Sequence, residues 1–327
     1  FWRKFLEKFK PKKEKIEISG KIVERLVFEG DVDCRGYVFP HDLQFEYAIF
    51  KGEANFSEAK FLGDADFSDA KFSGEADFSK AEFSNANFPG AEFSDADFFF
   101  AKFLGNANFI GAKFSYAYFP GAKFSDADFF FAKFSDADFS DAKFLGNANF
   151  FSAEFSDADF SKAEFSDANF IGAKFSYAYF RECKFDKKAR FDYAEFLGTA
   201  DFSKAKFPDT EDLTDFVSFR NVYFKNQRRV YFDGMEGGAR VSFINTDISR
   251  VVFRNCDLDS PFDEVLLKEK EEIERKVKKL EKSGKEDELK LLKLELEDLE
   301  DVTLDNVLAV IRNLRENCDY YLRYEEA

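Results

Sequence analysis

The sequence predicts a mainly β fold in which the chain winds into a four-sided β-helix, a solenoid, followed by a helical tail. Two observations carry this prediction. The chain of 327 residues contains 49 phenylalanines but one tryptophan, one methionine and one histidine, whereas an ordinary globular core needs side chains of varied shape. Phenylalanine also recurs with a step of five residues from Phe45 to Phe207, giving thirty-two centres. A core of one residue type at a fixed period is typical of a repeat architecture.

The repeating unit reads Ala-(Asp/Asn/Lys/Glu)-Phe-Ser-x. A period of five matches neither a helix nor a strand, so the chain must turn a corner in every unit. Alanine and phenylalanine lie two residues apart and therefore point to the same side. The simplest closed solution has four units per coil with both side chains inward. The coils then stack at the spacing of neighbouring strands, and thirty-two centres make eight coils.

Seven steps between centres are six residues long, for example Phe61 to Phe67 through Leu62-Gly63. An extra residue preserves the stacking only if it bulges at a corner, which glycine permits. Counted from Phe45, all seven insertions follow even-numbered centres, and four of them lie eight units apart. This regularity supports four units per coil, because a three-sided coil would scatter the bulges.

On this motif the chain resembles the pentapeptide-repeat family, whose repeat is A-(D/N)-(L/F)-x-x. The resemblance covers residues 45–207 and extends to degenerate copies at 245–248 and 255–258, where Ile and Leu are the centres. It implies a right-handed quadrilateral β-helix. Some members of the family are acidic dimers that mimic duplex DNA and inhibit DNA gyrase, which is one function that the resemblance implies.

Changes in pattern divide the chain into five parts. These are a basic amphipathic N-terminal helix (1–15), an N-terminal cap with irregular first coils (16–44), the regular β-helix (45–207), irregular coils (208–260) and an α-helical tail (261–327). In the tail, residues 262–282 and 286–300 predict an antiparallel α-helical hairpin, and Thr303 is a plausible N-cap for one further helix over 304–324. We expect this tail to cap the β-helix or to join two copies as a coiled-coil dimer.

The first helix has an apolar face made by Phe1, Trp2, Phe5, Leu6 and Phe9. The interpretation that we favour is a cap, because a β-helix has open ends with unpaired backbone groups. The alternative is contact with a membrane surface or a partner, which a basic amphipathic helix also allows.

The four faces of the coil present different outward side chains. On even-numbered faces the residue before the centre is Lys or Glu, which favours solubility and suppresses edge pairing. One odd-numbered face carries an acidic ladder that Tyr118 and Tyr179 interrupt. The candidate acidic ladder is Asp77, Asp97, Asp138, Asp159 and Asp201.

The other odd-numbered face has an apolar residue after the centre in five successive coils, where serine is usual. These candidate interface residues are Pro89, Ile110, Phe130, Phe151 and Ile171. An apolar line on such a wall predicts a contact surface for a second copy or a partner. Two alternatives stay open: the helical tail covers the line, or the line is a corner that is only half exposed. Phe99 and Phe100 form a smaller apolar pair on the acidic side.

No motif points to catalysis, a cofactor or a metal. His41 is the only histidine, the four cysteines form no C-x-x-C pair, and residues 234–238 lack the strand-and-helix context of a nucleotide-binding loop. A catalytic site needs different functional groups brought together at one place, whereas this chain repeats the same groups in every coil. We therefore predict that the protein is not an enzyme and binds no cofactor.

The function that these patterns favour is a structural or protein-interaction scaffold. A net charge of −16 disfavours direct binding of nucleic acid and permits a basic protein partner or self-association. One alternative is a DNA mimic that inhibits DNA gyrase or topoisomerase, with the acidic ladder in that role. Another is the soluble part of a membrane-associated protein, motivated by the basic aromatic start. We expect a reducing, cytoplasmic setting, with membrane association as the open alternative.

Overall fold

The computed structural model describes residues 2–208, 215–236 and 241–254, together with single residues at 270, 271, 274, 275, 303, 307, 309 and 310. In this part of the chain a helix, Trp2–Phe9, precedes the strands β1 to β28, and a 3-10 turn spans Gln227–Arg229. In chain order the strands are Lys12–Ile18, Lys21–Phe28, Val32–Asp33, Val38–Phe39, Leu43–Gln44, Ile49–Phe50, Ala54–Asn55, Lys60–Asp66, Lys71–Asp77, Glu82–Asn87, Glu92–Asp97, Lys102–Asn108, Lys113–Tyr118, Lys123–Asp128, Lys133–Asp138, Lys143–Asn149, Glu154–Asp159, Glu164–Asn169, Lys174–Tyr179, Lys184–Phe185, Ala189–Arg190, Glu195–Phe196, Ala200–Asp201, Val217–Ser218, Tyr223–Phe224, Val230–Asp233, Val241–Ser242 and Val252–Arg254.

The strands form two long sheets in which nearly every pairing is parallel and joins one coil to the next. The first sheet has the order β1-β2-β6-β9-β11-β13-β15-β17-β19-β23-β26-β28, with β3, β7, β22 and β25 attached to it. The second sheet has the order β27-β24-β21-β18-β16-β14-β12-β10-β8-β4, with β5 and β20 attached. The protein is therefore a parallel β-solenoid of about ten turns. The right hand of the coil stays an expectation from the family resemblance.

The core consists of four columns of phenylalanine rings, one for each side of the coil. In one column Phe72, Phe93, Phe114, Phe134 and Phe155 stack in succession at 4.7–4.9 Å between ring centroids, with interplanar angles of 1–3°. Rings of the next column often meet them edge to face. Offset stacking and edge-to-face contact are the two arrangements that aromatic pairs prefer. The alanines of the regular repeats are buried between the columns. The predicted coil of four units with Ala and Phe inward is confirmed.

Two corners of each regular coil are tight turns, and the other two lie inside strands. At a tight turn the N–H of Ala70 donates to the carbonyl of Phe67 at 3.0 Å, and Asp69 has a φ of 52°. A type II turn requires a positive φ at its third residue, which is where several coils place glycine, such as Gly90 (φ 67°).

The corners inside the strands take up the six-residue steps as β-bulges. The pairing of Glu82–Asn87 with Lys102–Asn108 shifts register between Phe83 and Ala86. At Gly146 an added Cβ would lie 2.4 Å from the carbonyl oxygen of Ser125. The predicted bulges therefore lie at corners, and at Gly146 the close approach of the preceding coil requires glycine.

The N-terminal helix ends at Phe9, so the prediction of a helix over 1–15 is wrong beyond that residue. Pro11 disfavours helical geometry at the residue before it, and Lys10 adopts a φ of 46°. The chain then forms an antiparallel hairpin from Lys12–Ile18 and Lys21–Phe28.

The helix covers the first coil. Phe5 is 4% exposed, and its ring centroid lies 5.6 Å from that of Phe45 and 6.2 Å from that of Phe28. The apolar face of the helix is thus turned toward the open end of the phenylalanine columns.

Residues 217–236 and 241–254 continue the solenoid with altered inward residues. Val217 and Val241 follow Ala189 in the ladder of small residues, while Phe219 and Phe243 extend one phenylalanine column. The predicted hairpin and third helix of the 261–327 tail lie outside the described residues, except for single positions. Of these, Val307 and Val310 are buried in the main core cluster.

Candidate functional site: an acidic face with tyrosine pairs

One face of the solenoid carries two outward side chains per coil, one on each side of the inward alanine of the first sheet. We call it the acidic face. From coil to coil its outward pairs are Glu75 and Asp77, Asp95 and Asp97, Tyr116 and Tyr118, Asp136 and Asp138, Asp157 and Asp159, Tyr177 and Tyr179, and Thr199 and Asp201. The strand pairing holds equivalent side chains in line, about 4.8 Å apart.

The predicted acidic ladder lies on this face, but its carboxylates also build the tight turns. In each coil Oδ1 of the ladder aspartate accepts a hydrogen bond from the backbone N–H two residues further on. These bonds join Asp77 to Ser79 (2.8 Å), Asp97 to Phe99 (2.7 Å), Asp138 to Ser140 (2.8 Å), Asp159 to Ser161 (2.7 Å) and Asp201 to Ser203 (2.9 Å). A short carboxylate or amide side chain is what such an Asx turn needs. One oxygen of each ladder aspartate is therefore committed to the fold.

The acids on the other side of the inward alanine are more exposed, and sequence reasoning missed them. Glu75, Asp95, Asp136 and Asp157 are all exposed. Burial and then the carboxylate of Asp95 raise the pKa of Glu75. Burial and then Asp136 raise the pKa of Asp157. In both groups burial is the larger cause, and repulsion from the neighbouring carboxylate adds to it. Reading both residues that flank each inward alanine would have found them.

Two tyrosine pairs interrupt the acids. Tyr116 is 60% exposed, and Tyr118 and Tyr177 are each 43% exposed. The two pairs lie three coils apart, which is about 14 Å. Tyrosine combines a large apolar ring with a polar tip, so exposed tyrosines are typical of protein-binding surfaces.

Most of the charges on the Lys/Glu faces, in contrast, form ion pairs between neighbouring coils. Glu92 accepts from Lys113 at 3.0 Å and lies 3.4 Å from Lys71, and the hydrogen bond from Lys113 is the largest cause of its lowered pKa. On the opposite side of the coil, Glu82 lies 2.8 Å from Lys102. These surface pairs contribute little stability individually, but they compensate the negative charge of the glutamates.

The predicted apolar line occupies the second position of successive tight turns. Ile110 is 37% exposed, and the other four residues are intermediate in exposure. Phe130 stacks on Phe151 with 5.4 Å between centroids. The backbone also uses these positions, since the carbonyl of Ile110 accepts from Gly90 N–H at 2.8 Å. Of the three interpretations left open, the half-exposed corner matches this geometry.

Beyond Ile171 the same corner becomes polar. Asp192 is 1% exposed, accepts a hydrogen bond from the Ser218 hydroxyl, and lies 3.3 Å from Nη2 of Arg220 and 3.1 Å from Nε of Arg190. Such a buried carboxylate must be paired to be tolerated. The network ties the regular coils to the irregular ones and is structural.

The two cysteines among the described residues, Cys34 and Cys183, are both buried and lie far apart in the solenoid. Burial raises the pKa of the Cys34 thiol to about 12 and raises that of Cys183 well above its usual value, so neither thiol is activated as a nucleophile. Within the described residues no group of three or more histidine, cysteine or acidic side chains could hold a metal ion. That the protein is not an enzyme and binds no cofactor stays a prediction.

The fold and its repeated faces define a β-solenoid repeat protein. The family described as "Pentapeptide repeats (9 copies)" matches residues 45–92, 56–102 and 170–211, and "Pentapeptide repeats (8 copies)" matches 106–146 and 148–186. The chain belongs to the pentapeptide-repeat family. No curated protein matches it significantly.

The solved structures that are similar to the chain include QnrB1 and HetL. QnrB1, a plasmid-mediated fluoroquinolone resistance protein, is 16% identical and covers 65% of this chain and 88% of its own, with a TM-score of 0.25. HetL, a pentapeptide-repeat protein involved in heterocyst differentiation regulation from the cyanobacterium Nostoc sp. strain PCC 7120, is 19% identical. It covers 54% of this chain and 87% of its own, with a TM-score of 0.19. Among the described residues no helix is long and apolar enough to span a membrane.

Proposed function

We propose that the protein is a non-enzymatic interaction scaffold that binds a basic protein partner along its acidic face. The observation that carries the proposal is the contrast between faces. Glutamates on the Lys/Glu faces have their charges met by lysines of neighbouring coils, whereas on the acidic face burial and then a neighbouring carboxylate raise the pKa of Glu75 and of Asp157. A partner that supplies cations relieves this repulsion, and complementary charge speeds association.

The rigid solenoid suits this role because it fixes the spacing of the side chains. Each outward position repeats about every 4.8 Å, and the stacked phenylalanine columns leave the wall little freedom to deform. Binding then costs little ordering of the scaffold, which favours affinity.

The test compares two variants with equal loss of charge. One neutralises the acidic face by Glu75→Gln, Asp95→Asn, Asp136→Asn and Asp157→Asn. The other neutralises the Lys/Glu faces by Glu82→Gln, Glu92→Gln, Glu154→Gln and Glu164→Gln. Binding of a fluorescein-labelled hexalysine peptide is measured by anisotropy at increasing salt.

We expect the acidic-face variant to lose about tenfold in affinity and the control less than about threefold. In salt a surface charge acts only over about 10 Å, so charges on the Lys/Glu faces have little effect on a peptide bound to the acidic face. Equal losses in the two variants would count against the acidic face as the binding surface.

The helical tail is proposed as a capping or dimerising element. Light scattering on the full chain and on a chain ending at Ser260 tests this. A dimer that becomes a monomer on truncation supports dimerisation through the tail. A monomer in both cases supports capping, and a dimer in both places self-association on the solenoid, where the line from Pro89 to Ile171 is the first surface to mutate.

A DNA mimic that inhibits gyrase or topoisomerase is the second candidate, and the repeated carboxylates of the acidic face are the observation that favours it. One oxygen of each ladder aspartate, such as Asp138, is however engaged in a turn. A supercoiling assay decides: absence of inhibition at micromolar protein removes this candidate.

Membrane association is the third candidate. Phe5 on the apolar face of the first helix is buried against the solenoid, which leaves the basic residues of segment 1–15 for any surface contact. Sedimentation of the full chain with anionic vesicles tests it, and recovery of all protein in the supernatant would count against it.

A further inference from the structure

The chain itself contains an example of how the acidic face holds a guanidinium. Nε of Arg181 lies 2.5 Å from Oδ2 of Asp201, and the guanidinium carbon lies 5.8 Å from the ring centroid of Tyr179. The hydrogen bond to Asp201 is the largest cause of the raised pKa of Arg181. A planar guanidinium can pair with a carboxylate and stack on an aromatic ring at the same time.

The same pair of side chains occurs three coils earlier. Tyr179 is the strand neighbour of Asp201, and Tyr118 is the strand neighbour of Asp138. Both tyrosines end the sequence Lys-Phe-Ser-Tyr-Ala-Tyr. The two aspartates are held alike, since Oδ1 of each accepts the backbone N–H two residues on, at 2.8 Å for Asp138 and 2.9 Å for Asp201.

The two sites also differ. The strand neighbour on the far side is Asp159 for Asp138 and Tyr231 for Asp201, Asp201 is buried whereas Asp138 is half-buried, and the residue that would fill the earlier site is absent. The place of Arg181, two residues after the tyrosine, is taken by Pro120. Within the described part of the chain no side chain pairs with Oδ2 of Asp138. Tyr118 is 43% exposed and stacks on Phe99 at 5.9 Å between centroids, so Phe99 supports one side of its ring.

We propose that Tyr118 and Asp138 form a binding site for an arginine side chain of the protein partner. The inference rests on the proposed function, because it places one specific contact within the acidic face. The exposed carboxylate of Asp136 and the ring of Tyr116 lie on the same two coils and add negative potential and apolar area around the site. Lysine fits less well, because an ammonium group cannot form the planar pairing and stacking that a guanidinium forms.

The test uses the full chain and two labelled probes of equal charge, a hexaarginine and a hexalysine peptide. The variant Asp138→Asn removes the charge but keeps the Asx turn, since Asn55 makes the same turn in this chain. Asp77→Asn is the matched control on the same face, away from the tyrosines. A third variant, Pro120→Arg, supplies the missing arginine from the chain itself, and its melting temperature checks that the fold is kept.

We expect the wild type to bind hexaarginine more tightly than hexalysine. Asp138→Asn should weaken hexaarginine binding about twofold to fivefold, the upper range of an exposed ion pair, because the ring of Tyr118 stays in place. Asp77→Asn should weaken both peptides by less than about twofold. A folded Pro120→Arg protein should lose the preference for arginine, because its own guanidinium occupies the site.

Equal affinity for the two peptides in the wild type, or equal losses for Asp138→Asn and Asp77→Asn, would overturn the arginine site while leaving a basic partner for the acidic face intact. Absence of binding by either peptide would overturn the proposed function as well.

Discussion

Removal of a single ring from a phenylalanine column tests the packing that holds the solenoid together. Phe134 is 3% exposed and lies between Phe114 and Phe155, at 4.9 Å and 4.8 Å between centroids. It also meets Phe139 edge to face at 5.7 Å. A buried Phe→Ala change costs about 3–5 kcal/mol, and Phe134→Ala loses two stacked partners worth about 0.5–1.5 kcal/mol each. We therefore expect a loss in the upper half of that range.

Urea denaturation followed by far-UV circular dichroism measures the loss. The matched control is Phe131→Ala, three residues away in the same coil, whose ring is 52% exposed. It should cost less than about 1 kcal/mol, because the ring is already in contact with water. If Phe134→Ala cost no more than Phe131→Ala, the inward columns would not be the source of stability.

Three further predictions concern the wall of the coil. Ala137→Leu should lower stability by about 1–3 kcal/mol by overpacking, and an unchanged melting curve would contradict the inward position. Gly146→Ala should cost about 2 kcal/mol because its Cβ would meet the backbone of the preceding coil, whereas Gly30→Ala, which meets no atom within 4 Å, should be nearly neutral in thermal melts. The pKa values of Glu75 and Asp157 are raised above 4.5 and 3.8, so their ionised forms weaken the fold, and lowering the pH through the raised values stabilises it. Replacing both with Gln and Asn should remove this gain from a urea-midpoint profile against pH, and a profile unchanged by the double variant would contradict it.

The repeat could be interpreted from the sequence because its period has one simple closed solution. The step from Phe45 to Phe207 and the even placement of the six-residue insertions determine four units per coil. Each inward residue then has an equivalent neighbour above and below, so one coil predicts the others. This argument holds wherever the lattice repeats.

The turns could not be foreseen from the period alone. Aspartate or asparagine precedes the centre on odd faces and lysine or glutamate on even faces. We interpreted this as a surface charge pattern, although Asp138 shows that the short side chains close the tight turns. At the N-terminus the apolar spacing predicted a helix through residue 15, and it was Pro11 that limited the helix.

The positions that break the repeat carry the information that a partner can recognise. A lattice of identical Asp and Ser groups offers the same contact in every coil and gives no reason for a partner to bind at one register. Tyr118 and Pro120 both depart from the consensus, and no described residue pairs with Oδ2 of Asp138. Tyr179 and Arg181 also depart from it, and there Arg181 pairs with the equivalent Asp201. One open site and one filled site on the same face, three coils apart, distinguish positions along an otherwise uniform rod. In the scaffold that we propose, specificity therefore depends on the coils that depart from the consensus, and stability depends on the coils that follow it.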